Sequence, residues 1–444
     1  MPGTKRAVVC SGGGAKGGYQ IGAWQALREL GYEPDIVTGT SVGALNGALM
    51  ASGLFEQALE IWGDMRMERV FAPFTQAENA QEAGNVPAFS LRFLQRAVFQ
   101  GGADSTPFQA LVRAMTDEEV MRTSPVRYGL VTTRYPKIKG VELFIEDIPQ
   151  GLLADYIIAS ASAFPVMRAH KIGDTAYIDG GYSDNLPVKM AVQAGAEQVV
   201  ALNIGAMPGS APHGENVTVH YVCAKRPLTD KFGGIFMFDS DLAKRNLRQG
   251  YLDTYKCFDL LDGHYYSFER YETYKTESFE RECRKKFEQS FCALPGVSML
   301  EKRGRGRVLE FLQAFDDKPF DFNSNTLHCA EAAAELFEVS SLEIYTLDSF
   351  TKEILQKLHE FCATESYLES ERDLIHQLDE GFSLRLLRPI AEHLDKKLLT
   401  ALCLRYLRRE EPALAEKRRI WGIAAVFPEV FCAGLFLCAA GAAE

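Results

Sequence analysis

The chain has 444 residues, 47% hydrophobic and 24% charged, a balance that excludes a mainly disordered or fibrous protein. Its 48 basic and 59 acidic side chains leave a formal charge of −11, so nothing draws the whole molecule to nucleic acid or anionic lipid, and any such contact has to be local. The length exceeds what one hydrophobic core organises, and two domains are expected, residues 1–260 and 261–444.

In chain order, Ala7-Val8-Val9-Cys10 reads as a strand that gives out at Ser11-Gly12-Gly13-Gly14-Ala15-Lys16-Gly17. Ile21, Trp24, Ala26, Leu27 and Leu30 then recur at helical spacing until Gly31 stops the helix. Ile36-Val37 opens a second strand, Gly39-Thr40-Ser41-Val42-Gly43 turns it, and Val42 to Met50 is a small-residue helix able to lie close on a sheet. Two such units in succession predict a parallel, right-handed βαβ start. From Phe71 to Asp104, Pro73, Gly84, Pro87, Gly101 and Gly102 break the pattern, and a mobile excursion over the sheet is expected. Thr106 as N-cap with Pro107 after it opens a helix through Met115. Strands follow at Tyr128 to Thr133 and Val141 to Ile145, a helix at Leu152 to Ser160, and a short apolar run, Ala176-Tyr177-Ile178, that ends on Asp179-Gly180-Gly181. Pro187 to Ala194 reads as a helix and Gln198 to Leu202 as a buried strand. Past Gly250 the grammar changes to charged amphipathic runs, Phe279 to Phe291, Leu327 to Phe337 and Thr351 to Phe361, which predict a mainly helical region.

The chemistry sits in the three glycine-rich segments. Gly39-Thr40-Ser41-Val42-Gly43 fits G-x-S-x-G, the strand-to-helix reversal that exposes a serine hydroxyl and aims a helix amino terminus at it. Gly12-Gly13-Gly14 offers amide donors with no side chains in front of them, suited to an anion. Gly12, Gly14 and Gly17 also fit G-x-G-x-x-G, the phosphate loop of a dinucleotide-binding fold. That fold wants an acid at the end of the second strand, where this chain has Gly39-Thr40-Ser41; Asp35 precedes the strand instead. A serine nucleophile needs a base. Of the histidines, His170 stands nearest to Asp179 but in a basic stretch that looks exposed, which leaves Asp179, with Gly180-Gly181 clearing space for a close approach to Ser41. An isolated Asp-Gly-Gly is otherwise a turn cap.

Together these segments resemble the patatin-like phospholipase family, whose marks are G-G-G-x-[RK]-G, G-x-S-x-G and D-G-[GA], here in the family's order. Ala159-Ser160-Ala161-Ser162-Ala163-Phe164-Pro165 and Asp184-Asn185-Leu186-Pro187-Val188 extend the match over the first half of the chain. The resemblance implies a three-layer α/β fold with a mostly parallel central sheet, followed here by a mainly α-helical carboxyl-terminal region. It implies hydrolysis of lipid acyl esters by a Ser-Asp dyad: Ser41 as nucleophile, Asp179 as base, and the amides of Gly13 and Gly14, with Gly12, as oxyanion hole. Lys16, where many relatives have arginine, together with Gly17, Gly39, Gly43, Gly180 and Gly181, completes the motifs. No metal or organic cofactor enters such a reaction.

Ten dispersed cysteines without C-x-x-C pairs argue against zinc and a disulfide framework and for a reduced, cytoplasmic chain. An amino terminus that runs from Lys5-Arg6 straight into a strand is not a secretory signal. The tail from Ile420 to Ala443 is almost wholly apolar behind Lys417-Arg418-Arg419. Its two pieces fall short of the roughly 20 residues that span a bilayer, leaving two readings: a terminal helix packed into the second domain, or peripheral contact with anionic lipid. Arg284-Lys285-Lys286 and the glycine-exposed run Lys302-Arg303-Gly304-Arg305-Gly306-Arg307 are further basic candidates for lipid headgroups. A lipid ester is thus the expected partner and nucleic acid is not, while nothing in the sequence fixes an oligomeric state. The competing function is a lipid-surface binding or regulatory module with slight hydrolytic activity.

Overall fold

The structure, a computed structural model, describes residues 4–72, 86–205, 217–229, 234–270, 298–314, 322–364, 367, 394–409 and 413–441. They fall into two compact units, residues 1–259 and 260–444.

The first unit is built on a mixed sheet. Its strands are β1 (Arg6–Cys10), β2 (Ile36–Thr40), β3 (Arg127–Tyr135), β4 (Lys139–Phe144), β5 (His170–Ile172), β6 (Thr175–Asp179), β7 (Gln198–Asn203) and β8 (Thr218–Cys223). β1 lies between β2 and β7, and the pairs β1–β2, β2–β3, β1–β7 and β7–β8 are all parallel. β4 and β6 both run antiparallel to β3, and β5 antiparallel to β6. The apolar run in β1 is continuous because both faces of the sheet are covered. Val8 and Cys10 face a core shared with Ile21, Leu45 and Ala243, whereas Ala7 and Val9 face a separate core with Val188 and Ala191. Helix, sheet and helix therefore form three layers. The first core takes α1 (Gly18–Glu29), α2 (Val42–Ala51), α3 (Phe55–Gly63), α4 (Met67–Val70), α5 (Val86–Phe99), α6 (Thr106–Met115), α7 (Glu118–Thr123) and α8 (Leu153–Ser160); the opposite face takes α9 (Val188–Gln193), and α10 (Ser240–Cys257) packs along α1.

Two local expectations shift. The stretch after Phe71 contains a regular helix, α5, while residues 73–85 lie outside the described residues. α6 begins at Thr106 with Ser105 as its cap, one residue before the expected position.

The second unit is mainly helical, with helices Ser298–Gln313, Phe322–Leu336, Leu347–Cys362, Lys396–Leu407, Leu414–Val426 and Pro428–Ala439 and a small sheet of β9 (Leu261–Asp262), β10 (Ser267–Glu269) and β11 (Ile344–Tyr345). The expected helix at Phe279 to Phe291 and the basic run Arg284-Lys285-Lys286 lie outside the described residues. The apolar tail is core: Trp421, Phe431 and Leu437 are fully buried and Phe436 nearly so, and Trp421 stacks on Phe431 with ring centroids 5.9 Å apart. Of the two readings of this tail, packing inside the unit is the one seen. The glycine-exposed loop expected at Lys302 to Arg307 is corrected. It lies within the helix Ser298–Gln313, where a Cβ on Gly304 would stand 2.9 Å from the Trp421 ring, and Arg307 pairs with Glu310 at 2.8 Å. Among the described residues no helix is long and apolar enough to cross a membrane, and the cysteines there form no disulfide.

Candidate active site

The pairing of β3 brings the serine and the acid together. Val131 and Thr132 are consecutive in β3, and they pair with Thr40 of β2 and Asp179 of β6. β4 occupies the other edge of β3 over the same residues. β2 and β6 therefore lie end to end along one edge, converging from opposite directions so that their carboxyl ends meet. Ser41 follows Thr40, and its Oγ donates to Asp179 Oδ2 at 2.6 Å.

The turn at Ser41 is tight. Its φ of 57° and ψ of −128° fall where side chains are seldom found, which lifts the hydroxyl off the strand as α2 begins. A Cβ on Gly39 would stand 2.2 Å from the Gly43 carbonyl oxygen, and one on Gly43 2.2 Å from that of Cys10, so neither position accepts a larger residue. Gly180 is similarly confined, with Val131 O 2.2 Å from its would-be Cβ, and at Gly181 the Asn185 Oδ1 would be 2.9 Å away.

The last residue of α8 and the segment after it hold both backbones in place. Ser41 N–H donates to Ser160 Oγ at 2.9 Å, and that hydroxyl donates on to Val131 O at 2.6 Å. The Asp179 N–H donates to Ser162 O at 2.9 Å. Asp179 Oδ1 accepts the Gly181 N–H at 2.7 Å, and the side chain is 7% exposed. Burial pushes its carboxyl up to about 6, against the opposing pull of the Ser41 and Gly181 hydrogen bonds. His170 is elsewhere: its Nε2 bonds Asp155 Oδ1 at 2.8 Å, and at 13% side-chain exposure it is not the exposed residue its basic flanks suggest.

The glycine loop contributes less uniformly than its sequence implies. Gly12 N–H donates to Asn185 O at 3.1 Å, which corrects its expected place as an anion donor. Among the described residues the Gly13 and Gly14 amides have no such acceptor. Gly14 sits at a φ of 57°, and the loop runs through a single turn, Gly14–Gly17, into the amino terminus of α1, whose dipole favours negative charge there. Lys16 turns its ammonium to Ile204 O at 2.8 Å, and burial lowers its pKa. A Cβ on Gly17 would stand 2.4 Å from the Trp62 ring. Beneath the loop runs a buried relay that local sequence patterns do not disclose. Trp62 Nε1 donates to Asn46 Oδ1 at 3.0 Å, Asn46 Nδ2 donates to Gly17 O at 3.0 Å and to Gln20 Oε1 at 2.9 Å, and Gln20 Nε2 donates to Ser11 O at 2.8 Å.

Ser41, Asp179 and the loop line a cavity of about 540 Å³ whose walls include Leu45, Trp62, Met65, Phe71, Phe108, Met167, Phe236 and Phe238. The polar side chains of its lining are Lys16, Ser41, Asp179, Tyr182 and Asn185, apart from the Trp62 indole. Among the described residues no cluster of three or more His, Cys, Asp or Glu side chains is placed to hold a metal. A hydroxyl bonded to a buried carboxylate, beside unpaired amides in an apolar chamber, is an arrangement suited to acyl transfer.

A family model described as patatin-like phospholipase matches residues 8–192. Over 238 residues the chain is 26% identical to patatin-like phospholipase domain-containing protein 6 of Homo sapiens, which covers 52% of this chain and 16% of that protein. Over 218 residues it is 27% identical to lysophospholipase nte1 of Aspergillus terreus, covering 48% and 13%. The chain therefore corresponds to a small part of the length of these curated relatives. VipD from Legionella pneumophila, a solved structure, overlays with a TM-score of 0.34 at 14% identity, covering 97% of this chain and 92% of that one. Over residues 8–192, then, the chain is similar to the patatin-like phospholipase family.

Proposed function

We propose that the protein is a serine acyl hydrolase that cleaves lipid acyl esters, of the phospholipase A or lysophospholipase type, with residues 1–260 as the catalytic domain and residues 261–444 as a helical companion. The observation that carries this reading is the 2.6 Å bond from Ser41 to a carboxylate that burial has made more basic. Ser41 Oγ attacks the ester carbonyl as Asp179 takes its proton, and the Gly13 and Gly14 amides stabilise the oxyanion. Collapse of the tetrahedral intermediate expels the alcohol, which leaves with the proton from Asp179. Water then attacks the acyl-enzyme with Asp179 again as base, releasing the fatty acid and restoring Ser41. An ordinary aspartate, near 3.9, is a feeble base for this work; one near 6 is better matched to neutral pH. The apolar walls suit an acyl chain, and the names of the relatives accord with a lipid ester. No step calls for a metal or organic cofactor. We place the protein in the cytoplasm on its dispersed cysteines.

The test is a lipid-product profile. Ser41→Ala is expected to abolish release of fatty acid from phospholipid and lysophospholipid while the far-UV spectrum stays unchanged, and fluorophosphonate is expected to label the native chain but not the variant. Equal product from both proteins overturns the reading. The alternative, a lipid-surface binding or regulatory module in which the helical half does the work and hydrolysis is slight, is favoured by absence of both labelling and turnover.

A further inference from the structure

The hairpin between β3 and β4 breaks three rules at once. Residues 134–140 are exposed throughout, yet the tip carries Tyr135 at 36% and Ile138 at 51% exposure. Ile138 adopts a φ of 45°, a conformation that glycine or asparagine takes readily and a β-branched residue does not. Arg134 and Lys139 are direct cross-strand partners, and like charges so placed repel. Lys137 adds a third cation, and among the described residues no carboxylate pairs with any of the three. Glu142 on β4, Asp179 at the end of β6 and Asp174 in the β5–β6 turn are the carboxylates on or beside the neighbouring strands. In a chain of net charge −11, this is a local basic and apolar patch maintained against strain, exposure and repulsion.

The patch is continuous with the cavity. The Tyr135 ring lies 5.0 Å from that of Phe164, which lines the cavity, and Tyr182, 51% exposed and also lining it, donates its hydroxyl to the Phe164 carbonyl. Thr133 Oγ1 and Ser183 Oγ, 2.9 Å apart, tie the hairpin to the same turn.

We propose that this hairpin tip docks the protein on an anionic bilayer and so brings the cavity to the lipid surface, an inference that rests on the lipid-hydrolase reading. Tyr135 and Ile138 would enter the boundary between headgroups and acyl chains, and Arg134, Lys137 and Lys139 would meet the negative surface potential. The lipid phosphates would also relieve the repulsion between Arg134 and Lys139.

The experiment is vesicle co-sedimentation of the full chain carrying Ser41→Ala, so that binding is read without hydrolysis, with phosphatidylcholine vesicles that contain or lack phosphatidylglycerol. Binding is expected only with phosphatidylglycerol and is expected to weaken with salt. Lys137→Glu with Lys139→Glu is expected to lower it about tenfold or more, even though Glu at 139 opposite Arg134 favours the ladder. Ile138→Gly is expected to lower binding while the Tm holds or rises, because glycine relieves the backbone; a purely structural residue would behave in the opposite way. Undiminished binding by both variants overturns the proposal, as does wild-type binding that ignores phosphatidylglycerol, or self-association through the hairpin seen by sedimentation. On the active background, turnover of a soluble short-chain ester is expected to be the same with and without the hairpin substitutions. Failure of the native chain to turn over that ester, with vesicle binding intact, counts against the hydrolase reading and not against docking.

Discussion

A carboxylate that is 7% exposed and titrates near 6 fixes the direction of two pH effects. As the proposed base, Asp179 has to be ionised, so kcat/KM is expected to rise through about pH 6 and then level off; a profile flat down to pH 4 would contradict that proposal. Stability moves the other way. The folded pKa is raised above the unfolded one, so the folded state holds the extra proton between about 4 and 6, and stability present below that window is lost as pH rises through it. The shift from 3.8 to about 6 corresponds to about 3 kcal/mol at neutral pH. Asp179→Asn keeps the shape and removes the buried charge, and is expected to raise the Tm at pH 8 but not at pH 4, as thermal unfolding at the two pH values would show. At this scale Ser41 and Asp179 were legible because tight turns write their chemistry locally: a strained reversal between glycines, and an acid with room beside it. The fate of the Gly12 amide was not, since its acceptor, Asn185 O, arrives from a remote segment.

Among elements, the piece from Ser160 to Ser162 at the end of α8 acts on the site through two serines that do not line the cavity, although Ala161 between them does. Ser160 is fully buried and couples the Ser41 amide to Val131 O, so Ser160→Ala leaves two buried backbone groups short of a partner. A stability loss of about 1 to 3 kcal/mol is expected from each unsatisfied group, with a larger fall in kcat than change in KM and recovery in Ser160→Thr if threonine keeps the hydroxyl in place. An unchanged kcat would reduce Ser160 to packing. In the sequence, this segment stood out only through family likeness, because a buried serine amid alanines does not name its partner. Strand polarity was equally hidden. The apolar run before Asp179 reads the same in either direction, and only β3, pairing forward with β2 and backward with β6, shows how the acid arrives. The glycines at 304 and 306 misled for a related reason: as helix breakers they predict a loop, but packing of Gly304 under Trp421 overrides propensity.

At the scale of the molecule, the apolar tail decides the integrity of the second unit. Trp421 and Phe431 are fully buried in a core shared with Phe350 and Leu402. Trp421→Ala is expected to cost about 3 to 5 kcal/mol, and deletion of residues 420–444 should leave residues 261–419 open to proteolysis. Persistent protease resistance in the truncated chain would show that the core closes without the tail. The two-unit pattern was visible as a change from glycine-punctuated strands to amphipathic runs, whereas the tail's destination was not, since a packed helix and a membrane-bound one share the same composition. The end-to-end meeting of β2 and β6 along β3 has one more consequence. Ser41 and Asp179 are 138 positions apart, and a correctly threaded splint, braced by Ser160 and Ser162, holds them in line. With Ser41 as the proposed nucleophile, its covalent capture by a fluorophosphonate becomes a clock for maturation: during refolding from urea it is expected to lag behind the return of helical signal, because the pairing that builds the site is non-local.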